Sequence, residues 1–201
     1  MRSKKKPERQ VSSKNMVSGA DESLIEETLE EQEVFSGSLL SLTVNTVRTP
    51  DGTRGQREVV HHPGGVVIIP VLSEGEGGKV ILVKQYREPA GKPIWELPAG
   101  TLEEGETQEE CARRELIEET NYRATTLEKM VDLFTSPGYS DEVLTLYLAS
   151  GLEKLEPSEK VESPDDENLL IKSFTRKELV KIAREGKIED GKTLAGLFFL
   201  P

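Results

Sequence analysis

Between Gly100 and Tyr122, a loop containing two glycines runs straight into a segment that carries both a core face and a cluster of carboxylates, and this pairing constrains the fold more than anything else in the chain. Thr107-Gln108-Glu109-Glu110 is a hydroxyl residue followed three places on by glutamate, the pattern of a capping box. It predicts a helix over Thr107–Thr120. Cys111, Ala112 and Leu116 are available to face a core. Residues three and four apart share a helix face, so Glu115, Glu118 and Glu119 form one carboxylate cluster. Like charges held that close raise each other's pKa unless a cation compensates. Hard cations with oxygen ligands, such as magnesium, suit such a cluster, and Arg114 can reach Glu118 across one turn. In a glutamate-rich chain a helix of this kind is more often a solvated face. The preceding loop, Ala99 to Glu106, shifts the balance: Gly100 and Gly105 permit tight turns that bring backbone carbonyls near the carboxylates.

The remainder sorts into three parts. Residues 1–33 read as a disordered or weakly helical tail: basic and polar to about residue 20, then acidic, with Leu24, Ile25 and Leu29 as a thin apolar stripe. Residues 34–62 read as a β-hairpin extension. Val34 to Val47 is one strand, Pro50-Asp51-Gly52 a turn and Gln56 to His61 the returning strand. Residues 63–201 read as the main domain. It has strands at Val66–Leu72, Lys79–Tyr86, Trp95–Leu97, Lys129–Phe134, Val143–Ala149 and Leu169–Phe174, and helices at Thr175–Arg184 and Lys192–Leu200. An acidic loop covers Leu152 to Glu167. Strands and helices mix without regular alternation, which argues for an α+β fold with a mixed sheet rather than a doubly wound one.

The net charge of −11 argues against nucleic acid or an anionic membrane as partner. Any phosphate chemistry then needs a metal ion or a few placed arginines. The most apolar run, Val66 to Leu72, is too short to span a bilayer, and the first twenty residues hold no apolar stretch of a secretory signal. Cys111 is the single cysteine, so no internal disulfide forms, and the expected location is the cytoplasm.

The segment GTLEEGETQEECARRELIEETNY resembles the Nudix box. Gly100, Glu106, Arg114, Glu115, Leu116, Glu118 and Glu119 fall at its defining positions. Asn121 stands where glycine is usual and Tyr122 where an aliphatic residue is usual. Asparagine is the next-best residue for a left-handed helix C-cap, so that departure is mild. The resemblance extends from about Phe35 to the C-terminus. Arg57-Glu58-Val59-Val60, His62-Pro63-Gly64, Gln85-Tyr86-Arg87-Glu88, Trp95 to Gly100 and Ser136 to Glu142 are similar to the ADP-ribose pyrophosphatase branch of the Nudix superfamily.

That resemblance implies an α/β/α sandwich around a mixed sheet, a hairpin that helps form a homodimer, and magnesium (or manganese) as cofactor. It implies hydrolysis of ADP-ribose or a related ADP-sugar, a small nucleoside-diphosphate substrate, to AMP and a sugar phosphate. Metal would be held by the Ala99 carbonyl, Glu115 and Glu119, with Glu118 beside them and Arg114 as its clamp. The base that activates water comes from the acidic loop, Glu167 first and Asp165 second. Arg57, Glu58 and Arg87 are candidates for gripping substrate, the alternative for each arginine being a salt bridge with Glu58 or Glu88. Ser136, Pro137, Gly138 and Glu142 are candidates for holding the terminal ribose. Trp95 reads as core, and His61 and His62 receive no chemical role. Another nucleotide-sugar or dinucleotide diphosphatase is the runner-up. A ligand-sensing module without hydrolysis is disfavoured because all three box carboxylates are kept.

Overall fold

The computed structural model describes residues 23–72, 78–156, 158 and 168–200. Ten strands and three helices follow in the order β1 (Glu27–Ser36), β2 (Ser41–Arg48), β3 (Arg54–His61), β4 (Gly65–Pro70), β5 (Val80–Arg87), β6 (Lys92–Glu96), β7 (Ala99–Thr101), α1 (Gln108–Thr120), β8 (Tyr122–Phe134), β9 (Val143–Lys154), β10 (Leu170–Phe174), α2 (Arg176–Arg184) and α3 (Gly191–Gly196).

The centre is β4, whose six residues are all buried. Side chains alternate across a strand, and here the alternation divides the core. Val66 and Ile68 face Cys111, Ala112 and Leu116 of α1, together with Ala124, Tyr147 and Ala149. Val67 and Ile69 face Val80 and Leu82 of β5, Phe174 of β10, Leu179 of α2 and Leu200. A strand covered on both faces has no polar positions to spare, hence the continuous apolar run from Val66 to Ile69. The sheet around it, ordered β7-β4-β9-β8, is mixed: β4 and β9 are parallel and the other pairs antiparallel. A second sheet, β10-β5-β6, packs on the face away from α1 with the C-terminal helices. Cys111 and Leu116 are fully buried, so truncating Leu116 to alanine would cost about 2–5 kcal/mol.

The N-terminal hairpin is present as β2 and β3, and β1 extends it to a three-stranded antiparallel sheet, β1-β2-β3. The sequence pattern allows a weak helix up to residue 33 and one strand from Val34 to Val47. Instead a strand already begins at Glu27 and turns at Gly37, whose N–H donates to the Leu40 carbonyl at 2.8 Å. Long-range pairing with β2 prevails over the helix preference of a Glu-rich run. The short strand β7 is likewise absent from the sequence pattern, since three residues with a glycine give no periodicity. Among the described residues no helix is long and apolar enough to cross a membrane.

Candidate active site

Helix α1 begins as its sequence requires. The Thr107 side chain accepts from the Glu110 N–H at 3.3 Å, and the Glu110 carboxylate accepts from the Thr107 N–H at 2.9 Å. It ends on Asn121, the one described non-glycine residue with positive φ, at φ 60 and ψ 32. Its N–H donates to the Ile117 carbonyl at 2.9 Å. The substitution of asparagine for glycine at this cap is thus accommodated by a left-handed conformation that asparagine tolerates.

Arg114 organises the carboxylates. Its Nε and Nη2 donate to the two oxygens of Glu106 at 2.9 and 3.0 Å, while Nη1 donates to Glu115 at 2.6 Å and to Glu118 at 3.1 Å. Nη2 also meets the Thr101 carbonyl at 3.2 Å. The hydrogen bond from Arg114 leads the causes that hold the Glu106 carboxyl below its usual range, and Glu106 in turn leads those that raise the Arg114 pKa. The same helix buries Cys111, and burial first, then the Glu106 charge, pushes its thiol up to about 12. That thiol is inert at neutral pH.

Glu119 is almost fully buried, and its Oε2 accepts from the Ala99 N–H at 3.1 Å. Ala99 lies opposite Val67, and the Ile68 N–H is bonded to the Pro98 carbonyl at 2.8 Å. This puts Ala99 at a position whose N–H and carbonyl both leave the β4 side of the ladder. The Ala99 carbonyl therefore shares an edge with the carboxylate its N–H already meets.

Hard oxygen donors from two adjoining elements fit a divalent cation. Among the described residues no three His, Cys, Asp or Glu side chains are already gathered in metal-binding geometry. Arg114 holds Glu115 and Glu118, and the Ala99 N–H holds Glu119. Coordination would draw Glu115 off the guanidinium by rotation of its side chain.

The other arginines do not take the partners considered for them. Arg87 grips Glu96 through two parallel bonds, Nε to Oε1 at 2.8 Å and Nη2 to Oε2 at 2.9 Å, rather than Glu88. Glu96 is 1% exposed and also receives Lys192 from the start of α3. Burial opposes its ionisation, but the Arg87 and Lys192 contacts outweigh burial and keep its pKa low. Arg57 pairs with Glu26 of the N-terminal segment, not Glu58, and donates to the Gln56 carbonyl at 2.9 Å. Arg57 and Glu58 stand on β3, in a different sheet from the box loop. Trp95 is partly buried and packs edge-to-face on Phe174 at 5.2 Å, in keeping with a core role.

The Ser136–Glu142 segment is a closed turn. Tyr139 and Ser140 N–H groups both reach the Ser136 carbonyl, at 3.1 and 2.9 Å, and Thr135 Oγ1 donates to Glu142 at 2.5 Å. The two histidines belong to this region: His61 Nδ1 lies 2.7 Å from Asp141, and Glu142 Oε1 is 3.5 Å from His62 Nδ1. The Gly64 N–H donates to that same His62 nitrogen at 3.0 Å, which makes it an acceptor, so the Glu142 approach is a contact rather than an ion pair. Glu167 and Asp165, named for the base, lie outside the described residues.

Sequence reasoning assigns no role to Glu96, His61 or Asp141, and it gives Glu106 a box position without a partner. Glu96 does carry a signal: a carboxylate inside the apolar run Trp95 to Ala99 must find a cation or stay protonated. The His61–Asp141 pair has no such signal, because the two residues are far apart in sequence and meet only through β3.

The NUDIX domain model matches residues 44–196. Over 178 residues the chain is 40% identical to an ADP-ribose pyrophosphatase of Bacillus subtilis (strain 168), covering 89% of this chain and 94% of that one. It is 38% identical over 175 residues to a methanol dehydrogenase activator of Bacillus methanolicus, covering 87% and 92%. In three dimensions it resembles the crystal structure of an ADP compounds hydrolase with a TM-score of 0.74 over 87% of this chain and 92% of that one. At 20% identity the structural likeness is one of fold.

Proposed function

The chain belongs to the Nudix family, and from that premise we propose that it is a magnesium-dependent diphosphatase of ADP-ribose or a related ADP-sugar, releasing AMP and a sugar phosphate. At the coarser level it is a Nudix hydrolase acting on the diphosphate of nucleotide sugars, in line with its pyrophosphatase relatives. The observation that supports the hydrolytic chemistry is the Arg114 network, in which one guanidinium gathers Glu106, Glu115 and Glu118 beside the buried Glu119, and the likeness to an ADP-ribose pyrophosphatase along most of the chain supports the ADP-sugar substrate.

The Ala99 carbonyl, Glu115 and Glu119 would hold the divalent ion, which when bound neutralises diphosphate charge and polarises water. Arg114, anchored on Glu106, fixes the helix glutamates so that little reorganisation is left to the reaction itself. The proton of the attacking water goes to a carboxylate of the acidic loop, with Glu167 the first choice. Arg87 is held by Glu96 with part of its guanidinium surface at solvent, which suits a phosphate-facing role. Ser136, Pro137, Gly138 and Glu142 form a turn suited to the terminal sugar, and Arg57 and Glu58 are kept as substrate contacts that reach a site across a subunit boundary.

The N-terminal sheet supplies a surface for that boundary. It leaves Val34, Phe35 and Leu39 at least half exposed, an apolar surface suited to a second copy of the chain. Of the three-part division into tail (1–33), dimerising extension (34–62) and Nudix domain (63–201), we keep the order but move the first boundary to Glu27, where β1 of the extension begins. A cytoplasmic location is in keeping with a chain whose single cysteine is buried. The activator name of one relative raises a regulatory role, but retention of Glu115, Glu118 and Glu119 favours turnover over ligand sensing. A panel of ADP-ribose, other ADP-sugars, GDP-sugars and dinucleotides, with products identified by chromatography, tests the reading. Preferred release of AMP from an ADP-sugar supports it, and preference for a guanine or dinucleotide substrate replaces it with the runner-up.

A further inference from the structure

We infer that Asp141 is a positioning residue for the sugar-binding turn, acting through the pair it forms with His61. This rests on the reading that the Ser136–Glu142 turn faces substrate. Asp141 bonds both histidines of β3's end: Oδ2 takes the His61 Nδ1–H at 2.7 Å and Oδ1 takes the His62 backbone N–H at 3.0 Å. The far side of the His61 ring is held as well, with Nε2 3.0 Å from the hydroxyl of Thr43, a residue 0% exposed. A carboxylate, an imidazole and a threonine thus form one line from the turn into the N-terminal sheet. Backbone bonds run alongside it. The Val60 N–H donates to the Tyr139 carbonyl at 2.8 Å and the Asp141 N–H to the Val60 carbonyl at 3.1 Å.

The line survives a change in His61 protonation. Nδ1 keeps its proton for Asp141 in either state, and the Thr43 hydroxyl rotates to donate or accept. With both ring nitrogens engaged, one by Asp141 and one by Thr43, the imidazole sets an orientation.

What it orients is the residue next door. Glu142 directly precedes β9, and Leu144 of β9 pairs with Gly65 of β4, which in turn pairs with Thr101 of the box strand β7. Two strand spacings, roughly 10 Å, separate Leu144 from Thr101, and Glu142 lies two residues before Leu144. A diphosphate at the box glutamates with its sugar extended along the sheet edge would reach Glu142. Displacing the turn alters contacts to the sugar and leaves the diphosphate end in place.

The test compares purified Asp141→Ala, Asp141→Asn and His61→Ala with Glu142→Gln, measuring KM and kcat for ADP-ribose and inhibition by AMP. For Asp141→Ala, KM is expected to rise about tenfold with kcat within about threefold of the parent, the signature of lost binding common to ground and transition states. AMP inhibition is expected to be unchanged, because AMP lacks the terminal ribose that the turn would hold. Asp141→Asn keeps an acceptor for the His62 N–H and is expected to recover most of the affinity. A parental KM in Asp141→Ala alongside a raised KM in Glu142→Gln overturns the positioning role alone, as does a fall in kcat with KM unmoved. Parental KM values in both remove the substrate-facing turn and the proposal with it. If Asp141→Ala does not fold, His61→Ala decides on the same criteria.

Discussion

A Cβ at position 100 would lie 1.9 Å from the Cδ of Glu115. No side chain of any residue but glycine fits there without moving that carboxylate, because real Cβ contacts do not approach so closely. The box glycine is therefore the floor on which a proposed metal ligand rests. Gly100→Ala is expected to fold, with a loss of about 1–3 kcal/mol from the forced shift. It is also expected to lose activity by about 100-fold, since displacements of about an ångström cost that much. Thermal melts and initial rates on the same sample check both.

Arg114 makes four charge-assisted bonds to three glutamates. Lysine keeps the charge but not the fork. Arg114→Lys is expected to lower kcat/KM by about 100-fold, consistent with loosened ligand geometry, and to raise the metal concentration giving half-maximal rate. Unchanged metal dependence in a folded variant would count against the clamp.

Glu96 of β6 is tied to β5 through Arg87 and to α3 through Lys192, and its carboxyl is held below the usual range, those two cations outweighing the burial that opposes its charge. A carboxyl with a depressed folded pKa adds stability above its unfolded value of about 4.3 and loses it as pH falls through the folded value. Glu96→Gln is expected to destabilise at pH 7 by roughly 2–3 kcal/mol, less than a fully buried broken pair because Arg87 reaches solvent. Below the folded pKa of Glu96 the difference is expected to shrink. Urea titrations across the acid range measure this, and a difference that grows with acidity contradicts it.

The carboxylate that takes the proton is expected to be Glu167. Glu167→Gln should lower kcat by about 100-fold or more with little change in KM, and Asp165→Asn should do less. Near-parental rates in Glu167→Gln with a dead Asp165→Asn would shift the assignment by two residues.

The exposed Val34, Phe35 and Leu39 of the N-terminal sheet are expected to pack on a second copy, giving a two-fold dimer in solution. Light scattering at micromolar concentration is expected to give twice the chain mass. Phe35→Glu is expected to give monomers, and with them a loss of the substrate contacts assigned to Arg57 and Glu58. A fully active monomer removes the dimer from the mechanism.

Local signals make α1 and its caps legible in the sequence: Thr107 and Glu110 bond as their spacing requires, and Asn121 takes the left-handed turn. β4 is legible for the same reason, since a run of four branched apolar residues has few alternatives. What escapes is set by pairing at long range. β1 runs through Glu27 to Glu33, residues with little intrinsic strand preference, and exists because β2 offers it a ladder. The partners of Arg57 and Arg87 escape in the same way: Glu58, next to Arg57 on β3, faces the opposite side of the strand, and Glu88 lies beyond the end of β5 in the turn that follows. Glu26 and Glu96 reach the arginines from neighbouring segments instead.

The most direct measurement is hydrolysis of ADP-ribose by the purified protein, followed by phosphorus NMR, first as isolated, then in excess chelator, then with magnesium restored. The expected result is release of AMP and ribose 5-phosphate that stops in chelator and returns with magnesium, and that is lost in Glu119→Gln while the fold is kept. Undiminished turnover in excess chelator, or in Glu119→Gln, would contradict the metal-binding role of Glu115 and Glu119.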